Sequence, residues 1–261
     1  MNKIIASRLS ALVLLLALTL TAGPARALTC QVSPSRIDIK LNYHGATLTV
    51  TGENVAGDDL IIRIGNQAGE AHYKYLGKAS GLFWMKKGDV GFKNVPGVYL
   101  LYSSRELDNL LDETAQKANL IGYKALEDVA EMESASPELR EDETHWKNEF
   151  FRFKEKQNLY AIHTGTVTRQ HGQDNDNYRV EVAWPFQAPP GDYTVEAMAI
   201  RGGQVVERAQ AGFSVERAGI VAQLSGLAFN NAALYGIMAV VIAIIAGFAV
   251  GMIFKKGGGA H

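Results

Sequence analysis

The chain has 261 residues, nearly balanced charge (26 Lys and Arg against 27 Asp and Glu) and a single cysteine, Cys30. This length allows one or two domains, and one cysteine excludes an intramolecular disulfide or a zinc site made of several thiolates. Lipidation at Cys30 is not expected either, because the preceding residue is Thr29 rather than a small residue.

Residues 1–27 have the features of a secretory signal peptide. Lys3 and Arg8 provide a basic start, residues 11–20 are apolar, and residues 25–27 form a small-x-small cleavage site. We expect cleavage at the end of this segment, and the alternative is an uncleaved N-terminal anchor. The remaining residues before the span, 28–231, carry 21 Lys and Arg against 27 Asp and Glu, a net charge of −6. This acidic balance excludes nucleic acid as a partner and does not suit an anionic lipid surface.

Residues 28–103 show the pattern of short β-strands. Ile37 and Ile39 alternate with polar residues, as do Leu60 and Ile62, and glycine turns occur about every ten residues. After a segment with helical spacing, residues 159–217 again show the pattern of short strands. We therefore predict a mainly β fold, an immunoglobulin-like β-sandwich with a helical insertion, while one composite sandwich or two separate ones both remain open.

Residues 104–158 form the predicted helical insertion. Ser103 and Glu106 have the spacing of a capping box, and Ser136 followed by Pro137 predicts the start of a further helix. That helix carries an aromatic and aliphatic stripe, expected to pack on the sandwich, with a partner-docking face as the alternative. The stripe consists of Leu139, Trp146, Phe150 and Phe153.

Two polar features of residues 159–217 resemble metal sites. The loop 171–177 offers Asp174 and Asp176 as in the start of a calcium loop, but it lacks the glycine and the distal glutamate of an EF-hand. We interpret it as a solvated hairpin tip and leave calcium binding open. His163 and His171 have no further ligands nearby in sequence, so we predict no metal site.

Residues 232–254 are 23 residues without a charge, about 34 Å as a helix, and so predict one C-terminal transmembrane helix. Residues 218–231 connect it to the β domain. The tail, 255–261, begins with Lys255 and Lys256, which favour the cytoplasm. Together with the signal peptide, they predict that the N-terminal domain is exported and that the C-terminus stays in the cytoplasm, which in a Gram-negative bacterium means a periplasmic domain on the inner membrane.

The span also carries small residues at every fourth position, ending in Gly-x-x-x-Gly. Small residues at this spacing let two helices approach closely in a membrane. The predicted helix-pairing face consists of Ala239, Ala243, Gly247 and Gly251. Its partner would be a second copy or a multi-span permease.

Catalytic motifs are missing from this sequence. It contains no G-x-S-x-G, no H-E-x-x-H and no phosphate-binding glycine loop, so we predict that the protein is not an enzyme and uses no cofactor.

Several stretches resemble a family. The most distinctive are residues 81–84 (GLFW) and 90–108 (VGFKNVPGVYLLYSSRELD), with residues 190–195, 201–206 and 234–240 in support. They resemble the transmembrane protein family first described in alphaproteobacteria, exported proteins with one C-terminal span. The family has no established activity, so the resemblance assigns no site residue. Its members tend to be encoded beside permeases resembling sulfite and organosulfonate exporters, which implies an accessory role for an anion transporter. A periplasmic ligand- or metal-binding module is the alternative.

Overall fold

The computed structural model describes residues 28–79, 82–134, 139, 142–172 and 175–255. The predicted signal peptide lies outside these residues, as does the tail beyond Lys255. Within them, the chain forms thirteen β-strands and six α-helices.

The strands form three sheets. The first contains, in spatial order, β1 (Gln31–Ser33), β3 (Ala46–Val55), β11 (Asn175–Trp184) and β10 (Thr168–His171). The second contains β2 (Arg36–Ile39), β13 (Gln204–Arg217), β12 (Gly191–Arg201), β4 (Asp59–Gly65), β7 (Tyr99–Ser103) and β9 (Tyr160–His163). The third contains β5 (Gly69–Ala79), β6 (Phe83–Val95) and β8 (Glu131–Ser134).

The first two sheets form a single β-sandwich. Trp184 of the first sheet contacts two rings of the second, Tyr193 at 4.6 Å and Phe213 at 5.0 Å between ring centroids. Both sheets combine strands from residues 28–103 and 159–217, so the two β segments build one composite sandwich. The strand order matches the two sheets of immunoglobulin domains, and the predicted fold class is confirmed.

Tyr193 adds a further immunoglobulin-like feature. It lies near the start of β12, is buried, and donates a hydrogen bond from Oη to the Pro189 carbonyl at 2.6 Å. A tyrosine at this position that bonds back to the backbone a few residues upstream is the tyrosine corner of such sandwiches.

Four helices of the insertion lie within the described residues: α1 (Leu107–Leu110), α2 (Glu113–Ala118), α3 (Tyr123–Val129) and α4 (Glu143–Lys156). The expected capping box is absent. Ser103 Oγ instead donates to the Arg105 carbonyl at 2.6 Å, and the Glu106 carboxylate accepts from Thr164 Oγ1 at 2.7 Å. Both side chains are therefore engaged elsewhere, and α1 begins without a side-chain cap.

Helix α4 begins at Glu143, with Asp142 as its N-cap. Ser136 and Pro137, where the sequence predicts a helix start, lie outside the described residues. The aromatic residues of α4 pack on the third sheet: Phe150 stacks on Phe92 with ring centroids 4.4 Å apart. The stripe thus packs inside the domain. Phe150 also contacts Tyr160 of β9, with ring centroids 6.1 Å apart, so the stripe packs on the sandwich, as predicted, and on the third sheet, which β5 and β6 form with β8. We call the third sheet together with α4 the arm.

Two segments leave the sandwich at the same end. Gly65, the last residue of β4, pairs with Thr194 near the start of β12 and with Tyr99 at the start of β7. The hairpin β5–β6 is inserted between Gly65 and Tyr99. Val215, near the end of β13, pairs with Gly191 at this same edge. From there the chain continues into α5 (Ile220–Asn230) and α6 (Ala232–Lys255). We call this edge of the sandwich the exit end.

Candidate functional site

Helix α6 is long and apolar enough to cross a membrane. Its 24 residues measure about 36 Å, more than the ~30 Å hydrocarbon core of a bilayer. The segment Ala232–Met252 has a mean hydropathy of 2.6 and none of it is buried against the rest of the chain. Among the described residues, this is the one helix that meets these conditions.

The predicted helix-pairing face lies on this exposed helix. All four of its residues, Ala239, Ala243, Gly247 and Gly251, are exposed. A Cβ atom built at Gly247 or Gly251 would meet no other atom within 4 Å. The two glycines line a shallow groove with Ile244, Phe248 and Met252. The groove leaves room for a second helix to approach the backbone closely, which is the geometry that small residues permit.

A polar cleft of about 440 Å³ lies on the outer face of the second sheet, beside the helical insertion. Its charged wall is formed by Arg63 of β4 and Glu196 of β12, which form an ion pair. Arg208 of β13 donates to the same carboxylate at 2.9 Å. Arg63 also donates to the Asn119 carbonyl at 2.7 Å, which joins the insertion to the sheet.

Charge in the cleft is largely neutralised. Burial alone would raise the pKa of Glu196, but the charges of Arg63 and Arg208 hold it below its ordinary value. Glu196 is therefore an ionised partner of two guanidinium groups. Side-chain amides line much of the remaining wall, namely those of Asn66, Gln67, Asn94 and Gln210. Such a wall can donate and accept hydrogen bonds to a small polar ligand.

Two carboxylates beyond the cleft serve as structural anchors. Asp58 is buried and accepts two hydrogen bonds from Arg201, both at 2.7 Å. Asp59 accepts from Ser104 Oγ at 2.9 Å and pairs with Arg105. These bonds tie the start of β4 to the end of β12 and to the segment after β7.

The loop 171–177 includes the predicted turn of a β-hairpin, but His171 and residues 175–177 belong to the two strands. His171 of β10 pairs with Asp176 of β11 across the two strands, while Gln173 and Asp174 lie outside the described residues. Asp176 is completely buried, so this carboxylate does not belong to a solvated tip.

His163 and His171 lie on different sheets, the second and the first. The His163 ring stacks on Tyr102, with ring centroids 4.8 Å apart. The two histidines therefore do not share a strand face. In the part of the chain that the structure describes, no three His, Cys, Asp or Glu side chains cluster so that they could hold a metal ion.

Sequence reasoning missed one exposed feature, the tip of the hairpin β5–β6. Four large apolar side chains there are 52 to 76 % exposed: Leu76, Leu82, Phe83 and Met85. The signal was visible in the run Gly81 to Trp84, which carries three large apolar residues at a turn between two strands. A turn normally favours polar residues, so such a run marks a candidate contact surface.

Comparison with known proteins identifies one family. The family described as "Putative transmembrane protein (Alph_Pro_TM)" matches residues 27–256, which covers the β domain, the arm and the span. This match confirms the resemblance carried by the motifs of the sequence. No curated protein and no solved structure matches the chain.

Proposed function

The chain belongs to the Alph_Pro_TM transmembrane family, and from this premise we propose that it is a non-enzymatic, single-pass accessory subunit of a membrane transport system. In this proposal α6 crosses the inner membrane, with the β domain in the periplasm and the C-terminus in the cytoplasm. The partner of α6 is a multi-span permease of the anion-exporter type, or a second copy of the chain.

The observation that carries the proposal is the exposed small-residue face of α6. A span that served only as an anchor would need apolar character but no particular register of small residues. Here two alanines and two glycines recur at intervals of four, and the two glycines open onto a groove with no atom of this chain in it. Van der Waals packing against another helix would fill that groove.

Mutation of this face tests the proposal. Gly247→Ile combined with Gly251→Ile adds bulky side chains to the groove, and we expect the full-length protein to lose its crosslinked partner in the membrane. Ala249→Ile is the control for position, since it also places an isoleucine on the helix but nearly opposite Gly247. Co-purification in mild detergent followed by mass spectrometry identifies the partner.

The outcomes separate the alternatives. A permease that co-purifies with the wild type and the control, but not with the double variant, supports an accessory subunit. A crosslinked dimer with the same mutational pattern supports self-association. A protein whose crosslinking and co-purification are the same in all three forms contradicts pairing through this face.

The polar cleft favours a second candidate function, a periplasmic ligand-binding module. Its amide-rich wall, with Gln67 and Gln210 available beside the Arg63–Glu196 pair, suits a small polar anion. Titration of the purified full-length protein with inorganic sulfate, followed by calorimetry, tests it. Saturable binding that weakens in the variant Gln67→Ala, Gln210→Ala supports this function, and the absence of heat in the wild type counts against sulfate-like ligands.

A further inference from the structure

The hairpin tip combines exposed apolar side chains with concentrated positive charge. We use "hairpin tip" for residues 74–79 and 82–88, which contain four lysines and no Asp or Glu: Lys74, Lys78, Lys86 and Lys87. Asp89, the next residue along β6, forms an ion pair with Lys86 at 2.6 Å and offsets part of this charge. Leu82 and Phe83 at its turn are 76 and 74 % exposed. The four lysines are exposed as well. Outside the tip, residues 28–231 carry 17 Lys and Arg against 27 Asp and Glu. Even when Asp89 is counted with it, the tip carries four lysines against one carboxylate and is therefore basic on an otherwise acidic domain.

The backbone pairings place this hairpin at the exit end of the sandwich. Gly65, which precedes the hairpin, lies beside the start of β12, and the end of β13 lies next to it. The chain leaves β13 for α5 and then α6. The hairpin and the membrane anchor thus leave the same sheet at the same end of its strands, the exit end.

Strand β5 is longer than α5, the connector between the sandwich and α6. Its 11 residues extend about 36 Å, whereas the 11 residues of α5, which separate the sandwich from α6, extend about 16 Å. The hairpin is therefore longer than the connector. Its tip can reach the membrane surface even if the hairpin axis is strongly tilted from the membrane normal. Helix α4 stiffens the hairpin, because Tyr73 and Tyr75 of β5 pack against Phe153 and Trp146 of this helix.

We propose that the hairpin tip is a second membrane contact, which docks into the headgroup region of an anionic phospholipid bilayer beside α6. Leucine, phenylalanine and methionine side chains enter the boundary of the acyl chains, while lysines keep their ammonium groups at the phosphates. A membrane is the favoured occupant because α6 holds this domain next to one permanently, which gives the tip a high effective concentration of lipid. The proposal goes beyond helix pairing and does not depend on it.

This contact also qualifies the charge argument from the sequence. The net charge of −6 for residues 28–231 disfavours an anionic surface for the domain as a whole. The four lysines of the hairpin tip nevertheless form a local positive patch, whose charge is opposite to that of an anionic lipid. Over the short screening length of physiological salt, the tip's own charge governs attraction more than distant carboxylates do.

A depth measurement on the full-length protein tests the proposal. Phe83→Cys, in a Cys30→Ser background, is labelled with an environment-sensitive dye and reconstituted into nanodiscs of phosphatidylethanolamine, phosphatidylglycerol and a brominated phospholipid. We expect blue-shifted emission and strong quenching at position 83. Val206→Cys is the matched control, since Val206 is an exposed apolar residue (47 %) near the far end of the sheet, beside the β12–β13 turn, and should stay unquenched.

Two changes probe the charge. Exchange of phosphatidylglycerol for phosphatidylcholine, or the double variant Lys86→Glu, Lys87→Glu, should reduce quenching at position 83 about threefold or more, because each lysine near an anionic membrane contributes to binding. Equal quenching under all these conditions would overturn the role of the lysines.

Absence of quenching at position 83 in the anionic nanodiscs would overturn the membrane contact itself. Quenching at position 83 that requires two copies of the protein in one nanodisc would assign the tip to a second copy and would overturn it as well. Quenching with a single copy in each nanodisc supports the proposal.

Discussion

At the scale of single residues, Lys154 is a buried cation among aromatic rings. Its side chain is buried, with Nζ lying 5.5 Å from the ring centroids of both Phe150 and Tyr160 and donating to the Gly97 carbonyl at 3.0 Å. Burial lowers the pKa of Lys154 to about 8, from an ordinary value of 10.5. The folded protein therefore holds this proton less tightly than the unfolded chain does.

Lys154→Met should change the pH dependence of stability. Below pH 8 both states are protonated and the cost of burying the charge is fully present. As pH rises toward 10.5, the folded state loses the proton first and this cost fades. The wild type should therefore gain stability relative to the variant by at most about 1.4 kcal/mol per pH unit.

Denaturant unfolding of both proteins between about pH 7.5 and 9.5 measures this difference; below about pH 10 the tyrosines of the unfolded chain stay largely protonated. The wild type and the variant serve as each other's control, because the titration of all other groups cancels in the difference between their free energies of unfolding. A difference that stays constant with pH would contradict the prediction.

Tyr99 is a second residue whose polar atom has a defined structural task. Its buried Oη donates to the Leu120 carbonyl at 3.0 Å and accepts from the Gly122 N–H at 2.9 Å. Tyr99→Phe leaves both backbone groups without this partner, so we expect a loss of about 1–3 kcal/mol in the free energy of unfolding.

Tyr43→Phe is the control for that measurement. Tyr43 Oη has no hydrogen-bond partner among the described residues, so its removal should leave the unfolding midpoint unchanged or raise it. If chemical denaturation gave the same loss for both variants, the loss could not come from the hydrogen bonds of Tyr99.

At the scale of elements, the sequence indicates whether a segment is a strand or a helix more reliably than it indicates which other elements the segment packs against. Alternation in residues 28–103 predicts strands and identifies the buried side of each, because the side-chain period of a strand is two. It does not say which strand lies beside which. From their sequence pattern, β5 and β6 are consequently predicted as further strands of the sandwich, although they form a separate sheet with β8.

The same limit applies to the candidate sites. The helix-pairing face of α6 follows from spacing within one helix and could be predicted. The pair formed by Arg63 and Glu196 joins residues 133 positions apart, and only the paired register of β4 and β12 brings them together. The hairpin tip could have been noticed in the sequence, but its position at the exit end depends on the topology of the sheet.

The packing of α4 on the third sheet leads to a prediction at this scale. Phe150 is 4 % exposed and stacks on Phe92, whereas Phe153 on the same helix is 41 % exposed. Phe150→Ala should lower the free energy of unfolding by about 3–5 kcal/mol, because it leaves a cavity between α4 and the sheet. Phe153→Ala should cost much less, since the Phe153 ring is already partly hydrated. Equal losses in chemical denaturation would show that α4 does not hold the arm through its buried stripe.

At the scale of the whole molecule, the two β segments depend on each other. Strand β11 lies between β3 and β10, and β12 and β13 lie between β4 and β2. Residues 28–103 alone would therefore expose Leu48 and Ile62, which are completely buried in the sandwich. The same holds for residues 159–217, whose inward residues Val182 and Val195 are also completely buried. One hydrophobic core thus links the beginning and the end of the domain, across the arm.

Neither β segment should fold by itself. We expect residues 28–103 and residues 159–217, expressed separately, to give the circular dichroism and narrow NMR dispersion of unfolded chains, because each would lack the strands that cover its apolar side. Residues 28–217, which retain both segments and the arm but not α6, should unfold in one cooperative transition. This longer piece is the control for expression and solubility. A dispersed NMR spectrum from either short segment would mean that the sandwich can form without its partner strands, and would contradict the composite core.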